Sequence, residues 1–435
     1  MQRIDRRCGW QGFVAAVLLI APAARGEDFE RPPIQYSEST PDNVVSRLIA
    51  DLEAGRKRLE YREGGWGYLP ALLKALDVPV ESQVLVFSQT SLQRSRISPK
   101  RPRAVYFNDQ VYVGFCQAGD VLEISAVDPQ LGAVFYTLNQ KQPDGPDLDR
   151  QTDACLLCHS SSRTEGVPGH LVRSLLVDRG GQPMLSAGSY TVDHRTPIER
   201  RWGGWYVTSQ PGAPQHLGNL ILRGNEREVD IDSARGTSCT SLEEHFDVHR
   251  YLAPHSDIIA LMVMEHQALV HNRIAKANFA ARQAHHYEQA LREALGESSD
   301  QPLESTARRI QSAGDDLVDA LLFVDEAPLA APIEGTSQFK ATFAQQGPFD
   351  PTGRSLRQFD LHQRMFAYPC SYLIYSEAFD ALPQPMLDYV WQRLHEVLIK
   401  GQHRERFPNL TDEDRQAIVE ILRSTKSNLP PSWAS

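Results

Sequence analysis

Two cysteines and a histidine near the middle of the chain constrain its fold more than any other feature. Cys155, Cys158 and His159 form the pattern Cys-Leu-Leu-Cys-His within a sequence of 435 residues. This is the attachment pattern of a c-type haem, in which two thiols on one helical turn bind the porphyrin and the adjacent histidine ligates the iron. The chain must then build a protein shell around a porphyrin, with long segments on both sides of the motif.

Two other uses of paired cysteines fit this sequence less well. A structural zinc site needs a second Cys/His pair at close spacing, and none is present. A thioredoxin-like dithiol needs a βαβ context, which the residues around the motif do not predict. We therefore predict one covalent haem c, with Cys155 and Cys158 as attachment residues and His159 as the proximal iron ligand.

The N-terminus predicts export from the cytoplasm. Three arginines in the first seven residues precede an apolar run over 13–24, which is followed by small residues. This order is typical of a secretory signal peptide, which we assign to 1–26. The apolar run has about 12 residues, whereas a bilayer span needs about 20. We predict a periplasmic or otherwise exported protein, with an uncleaved N-terminal membrane anchor as the alternative.

The charge of the chain argues against a nucleic-acid partner. The formal net charge is −10, and the first 26 residues are basic, so the remainder is still more acidic. An acidic surface repels phosphate backbones. We expect a periplasmic redox protein as the partner, and no membrane span after cleavage of the signal peptide.

Residue patterns predict an α+β fold with a β-rich N-terminal half and an α-helical C-terminal half. After a helix from Thr40 to about residue 54, strand signals rich in Val, Tyr, Phe and Ile alternate with turn residues. The predicted strands are 83–88, 103–108, 111–115, 121–127 and 133–138, and a further hairpin joins 171–177 to 184–188. We predict hairpins in this half, a β-rich haem-attachment region over 27–250, and the haem between the two halves.

The α-helical region is predicted over 251–435. Ser256 is a plausible N-cap for a helix that reaches about residue 295. Further helices are predicted near 304–324, 371–381, 385–400 and 412–424.

The second axial ligand of the iron must come from another part of the chain. The helix predicted from Ser256 is apolar on most of its circumference, so it is buried and its polar side chains need internal partners. We predict that His266 approaches the distal face of the haem, with His271 as the second candidate and Met184 as the third. The alternative for each histidine is a hydrogen-bonded core residue.

Several other polar or aromatic residues have more than one interpretation. Arg200 and Arg201 either pair with haem propionates or form a solvated surface pair. Trp202 either lines the haem crevice or packs in the core. Glu265 beside His266 is a candidate for the acid/base machinery of a peroxidase-like site, and no other catalytic residue is assigned.

Three cysteines lie outside the haem motif in the mature chain, namely Cys116, Cys239 and Cys370. An oxidising compartment favours one disulfide among them, for instance between Cys239 and Cys370, with the third thiol reduced. The sequence leaves this pairing open.

Segments outside the haem motif carry a resemblance to a known family. They are FSQTSLQ at 87–93, PRAVYFND at 102–109, RWGGWYVT at 201–208, HLGN at 216–219, EHQ at 265–267, HN at 271–272 and YPCSYLIYS at 368–376. Over nearly all of its mature length the chain resembles a family of large exported single-haem cytochrome c-domain proteins of planctomycete-type bacteria, which has no established reaction. The resemblance implies a covalent haem, export and the electron-transfer class.

Two classes of function follow from these features. The first is a periplasmic c-type cytochrome that transfers single electrons. The alternative is a single-haem oxidoreductase, peroxidase-like or oxidising a small molecule, with an open distal iron site. A haem-based sensor is a third class.

Overall fold

The computed structural model describes residues 28–141, 145–223, 236–296 and 301–433. The predicted signal peptide, 1–26, lies outside the described residues. A seven-stranded antiparallel sheet dominates the N-terminal half of the described chain, and helices dominate the C-terminal half. The predicted α+β fold class is therefore confirmed.

The sheet is a meander closed on one edge by a late strand. Its strands are β1 Val84–Val86, β2 Arg103–Phe107, β3 Val111–Phe115, β4 Val121–Asp128, β5 Gly132–Asn139, β6 Leu148–Gln151 and β9 Trp205–Tyr206, in the spatial order β6-β5-β4-β3-β2-β1-β9. The predicted strands match β1 to β5 within a few residues, because side chains build the turns locally. Asn108 Oδ1 accepts from the N–H groups of Gln110 and Val111, and Asp128 Oδ1 accepts from those of Gln130 and Leu131.

The helices are α1 Val44–Glu53, α2 Leu69–Ala75, α3 Leu156–His159, α4 Ile258–Leu295, α5 Glu304–Leu321, α6 Phe339–Ala344, α7 Glu377–Asp380, α8 Gln384–Leu398 and α9 Asp412–Thr425. Two predicted N-caps are wrong by one to three residues. Asn43, rather than Thr40, caps α1, since its side chain accepts from two backbone N–H groups of the first turn. Asp257, rather than Ser256, caps α4.

Ser256 does not cap α4 because its hydroxyl makes hydrogen bonds to the sheet. Its hydroxyl donates to the carbonyl of Tyr206 and accepts from the N–H of Leu85. The residue therefore links the start of α4 to β1 and β9, and the neighbouring aspartate takes over the capping bond.

The hairpin predicted from 171–177 and 184–188 forms only next to its turn, where Val177 pairs antiparallel with Pro183 and the Met184 N–H donates to the Leu176 carbonyl. β7 Arg173–Ser174 pairs with β8 Tyr190–Thr191, and residues Leu185–Ala187 form a 3-10 turn. The predicted turn at Asp178 is present, because its carboxylate accepts from Gly180 N and Gln182 N. The helix predicted over 371–381 is also divided, into a 3-10 turn at Tyr372–Tyr375 and the short α7.

The two faces of the sheet pack into different hydrophobic cores. Leu85 and Tyr106 on one face pack with α1 and α2, whereas Val84 and Val105 on the other face join a core built largely from α4 and the later helices. Most of the first half of α4 is fully buried, as its apolar circumference predicts. Among the described residues, no helix combines the length and the apolar composition that crossing a bilayer requires.

The suggested disulfide between Cys239 and Cys370 does not form in this fold. Cys370 is fully buried in the helical core, whereas Cys239 is half-buried at the edge of the other core. All five cysteines of the described chain, including Cys116, are free thiols.

Candidate haem site

The Cys-x-x-Cys-His motif forms a single helical turn. α3 begins directly after Cys155, and the carbonyl of Cys155 accepts from the backbone N–H groups of Cys158 and His159. Cys155 is half-buried and Cys158 is exposed, and Leu157 between them is 84% exposed. Both thiols therefore belong to one turn whose outer side is open, as attachment of a porphyrin requires.

His159 is held by Gly169 through two hydrogen bonds. Its ring Nδ1 lies 2.9 Å from the Gly169 carbonyl oxygen, and the Gly169 N–H donates to the His159 carbonyl at 2.8 Å. Because a carbonyl only accepts, Nδ1 must carry the proton. Burial lowers the pKa of His159, which keeps the imidazole neutral. No described residue hydrogen-bonds to Nε2, so this nitrogen has the lone pair that an iron ligand needs.

These residues fit a covalent haem. Two thiols on one turn would supply the attachment points, and an imidazole with its Nδ1–H bonded to a carbonyl would supply a nitrogen ligand to the iron. The described chain contains no group of three or more His, Cys, Asp or Glu side chains arranged to hold a metal ion directly.

Two further histidines, His170 and His271, lie next to each other, and His170 is close to His159. His170 follows Gly169 in the chain, and its Nε2 lies 2.9 Å from Ser125 Oγ. Its ring centroid is 5.5 Å from that of His271, whose Nδ1 lies 3.1 Å from Tyr112 Oη. Burial lowers the pKa of His170 well below its usual value, and the proximity of both His271 and His159 lowers it further. Of the two histidines predicted as distal ligands, His271 is therefore the one that lies near the Cys-x-x-Cys-His turn, through its neighbour His170.

His266, the first candidate for the distal ligand, lies in a different cluster. Its Nδ1 is 3.0 Å from Nδ1 of His194, and its Nε2 is 2.8 Å from Ser371 Oγ. The Phe323 ring stacks on it with centroids 4.2 Å apart. Ligation of iron by His266 would break one of these bonds, so the hydrogen-bonded core residue that the sequence also allowed describes it better. The distal assignment itself stays a prediction.

Met184, the third candidate, is half-buried beside a small apolar cluster formed by Leu176, Ala187, Leu217 and Leu222. It precedes the 3-10 turn that replaced the predicted strand. Its assignment as a ligand also stays a prediction.

Arg201, Trp202 and Glu265 form a buried ion-pair network. Arg201 Nη1 donates to Glu265 Oε2 at 3.0 Å, and Trp202 Nε1 donates to Glu265 Oε1 at 2.5 Å. Burial raises the pKa of Glu265 to about 7, and Arg201 opposes this rise. The interpretation of Arg201 as a solvated residue is wrong, because only 2% of it is exposed. The guanidinium of Arg200 lies over the Tyr190 ring instead, 5.5 Å from its centroid.

A small polar cavity lies beside His194 and was not foreseen from the sequence. It has a volume of about 70 Å³, and its walls include His194, Arg273, Asp316, Val324 and Arg406. A space of this size holds a few water molecules. It is a separate feature from the motif, and we assign no reaction to it.

Sequence reasoning missed Gly169 as a functional residue. The available signal was the Pro-Gly dipeptide at 168–169, which marks a turn, and the structure alone shows the close approach of Asn272 to this glycine. No protein-family profile, no curated protein and no solved structure matches this chain.

Proposed function

We propose that this protein is an exported c-type cytochrome that carries one covalent haem and transfers single electrons. The observation that supports the proposal most is the combination of two thiols on the α3 turn with a proximal imidazole whose Nδ1–H is bonded to Gly169. The signal peptide predicted at 1–26 supports the compartment, because c-type haem is attached outside the cytoplasm.

Each residue of the motif has a distinct role in this proposal. Cys155 and Cys158 hold the porphyrin through thioethers, and His159 Nε2 binds the iron. Gly169 holds the imidazole in one tautomer and one orientation. When bound, the haem supplies one-electron redox chemistry. The exposure of Cys158 and Leu157 favours electron transfer, since a haem attached there is accessible to a partner protein.

One observation favours the alternative, a haem oxidoreductase with an open distal iron site. Both ring nitrogens of His266 already have partners within hydrogen-bond distance, so neither nitrogen of this candidate for the sixth ligand is free to bind iron.

Absorption spectra of the reduced protein with and without carbon monoxide separate the two functions. A rapid spectral shift on addition of the gas indicates an open position and supports the oxidoreductase. An unchanged spectrum supports the six-coordinate electron carrier.

The covalent haem is tested by expressing the exported chain together with a c-type maturation system. We expect one haem per chain, a c-type pyridine haemochrome spectrum, and retention of the haem in acidified organic solvent. Cys155→Ser and Cys158→Ser should each retain at most one thioether and give a shifted haemochrome band. The double variant should lose the haem on extraction.

Cys239→Ser is the matched control, because Cys239 is also a partly accessible free thiol but lies outside the motif. It should keep the wild-type haemochrome. A wild-type protein that releases its haem to the solvent, or matures without any haem, would contradict the proposed function.

A further inference from the structure

The tripeptide Pro168-Gly169-His170 lies between the sheet and α4, and each of its carbonyl groups has a defined partner. The Pro168 carbonyl accepts from Ala133 N at 2.9 Å, at the start of β5. The Gly169 carbonyl accepts from His159 Nδ1. The His170 carbonyl accepts from Asn272 Nδ2 at 2.8 Å, on α4. The residue that orients the proximal histidine is therefore held by both halves of the protein.

Asn272 binds this segment at two points. Its Oδ1 accepts from His170 N at 2.7 Å, while its Nδ2 donates to the carbonyl of the same residue. An amide is suited to this task, because it presents one acceptor and one donor side by side, as a neighbouring β-strand does. The side chain is 4% exposed, so water cannot replace these bonds without cost.

The side chain of Asn272 also packs closely against Gly169. A Cβ added to Gly169 would lie 2.4 Å from Asn272 Oδ1 and 3.1 Å from Thr164 Cβ. The glycine is therefore required by close approach of the amide, and the amide limits where the Gly169 peptide plane can lie. Displacement of Asn272 would free that plane to rotate, and the carbonyl that accepts from His159 would rotate with it.

We propose that Asn272 is a positioning residue for the proximal haem ligand: by holding the Gly169–His170 backbone it sets the direction and strength of the His159 Nδ1–H hydrogen bond. This inference rests on the proposed function. The bond to Nδ1 raises the electron donation of the imidazole to a bound metal and fixes its orientation. Stronger donation favours the oxidised iron, so loss of Asn272 should favour reduction.

The test compares Asn272→Ala with Asn278→Ala in the purified holoprotein. Asn278 is a matched control, because it is a buried asparagine on the same helix whose Nδ2 donates to a backbone carbonyl, that of Pro129 at 3.1 Å. The hydrogen bonds of its side chain are to Pro129 and Arg282, and not to the Gly169 segment. Both variants should lose thermal stability, which therefore does not discriminate between them.

The discriminating measurement is a spectroelectrochemical titration of the reduction potential. We expect Asn272→Ala to shift the equilibrium between oxidised and reduced iron about tenfold toward the reduced form, which corresponds to about 59 mV for one electron. Asn278→Ala should leave the potential unchanged. Asn272→Leu, a neutral variant of similar shape that lacks both the acceptor and the donor, should give the same shift and serves if the alanine variant does not fold.

Two outcomes would overturn the inference. Either an unchanged potential in the folded Asn272 variants or an equal shift in Asn278→Ala would leave Asn272 as a structural residue only. The pyridine haemochrome spectrum, recorded on the same samples, separates this failure from failure of the proposed function. Covalent haem with an unchanged potential refutes the positioning role alone, whereas absence of covalent haem refutes the proposed function.

Discussion

Replacement of Arg201 by alanine is expected to lower the free energy of unfolding at pH 8 by about 3–5 kcal/mol, because above its pKa of about 7 the buried Glu265 carboxylate is left without its counter-charge. The side chains of Arg201 and Glu265 are 3% and 0% exposed, and they lie 3.0 Å apart. Arg201 also donates to the carbonyls of Thr196 and His194. Its removal would therefore leave three acceptors in a dry core, with Trp202 Nε1 as the remaining donor to the carboxylate.

Urea denaturation followed by far-ultraviolet circular dichroism measures this loss. The matched control is Arg308→Ala, since Arg308 pairs with Glu304 at the same distance of 3.0 Å but both side chains are largely exposed. A pair of this kind on a helix surface contributes about 0.3–0.5 kcal/mol. If Arg201→Ala were no more destabilising than the control, the Arg201–Glu265 pair would have to be hydrated in solution, contrary to the structure.

Acidification is expected to unfold the protein cooperatively between about pH 6 and pH 4. Burial lowers the pKa of His194 and His271 to about 3 and that of His216 to about 4, and it lowers that of His266 well below its usual range. An unfolded chain takes up protons on these residues near pH 6.5, whereas the folded chain does not. Their contribution to stability is therefore present above pH 6.5 and is lost as the pH falls.

Two carboxyl groups oppose this loss over part of the range. Burial raises the pKa of both Glu265 and Glu326 to about 7, so the folded state holds protons on them that the unfolded state releases above about pH 4.5. They add stability as the pH falls from 7 to 4.5. His170 belongs to the same group, because burial also lowers its pKa well below the usual value. Five histidines against two carboxyls leave a net uptake of about three protons on unfolding, or about 4.1 kcal/mol per pH unit. A domain stability of about 5–15 kcal/mol is consumed within a few pH units at this slope.

The free energy of unfolding measured in urea at several pH values tests this prediction. His216→Asn should reduce the slope by about 1.4 kcal/mol per pH unit between about pH 6 and pH 4, because it removes one buried group whose folded-state pKa is about 4. Asparagine retains an acceptor for the Gly218 N–H, which His216 Nδ1 now accepts. His286→Asn is the control, since it makes the same substitution at an exposed histidine of the same chain. A constant free energy of unfolding from pH 7 to 4.5 would contradict the buried neutral state of these histidines.

The parts of the fold that were predicted well are those with local causes. Strands β2 to β5 follow from runs of β-branched and aromatic residues bounded by Asn108 and Asp128, whose side chains build the turns within three residues. The displaced N-cap of α4 has a distant cause, because Ser256 is bound to β1 and β9 rather than to its own helix. The strand predicted over 184–188 is absent for a related reason, because β7 pairs with residues further along the chain, at Tyr190–Thr191.

The Cys-x-x-Cys-His turn was determined by the sequence alone, because its two thiols and its imidazole need only the geometry of one helical turn. The buried character of α4 was also readable from its apolar circumference. Only the tertiary structure decided which polar residues of α4 serve the motif. His266, the predicted distal residue, bonds to His194 and Ser371, whereas Asn272 reaches the segment that holds His159. Helical periodicity indicates that a side chain of α4 is buried, but it does not indicate which residues that side chain contacts. Packing between the sheet and the helices brings these partners from up to 159 residues away.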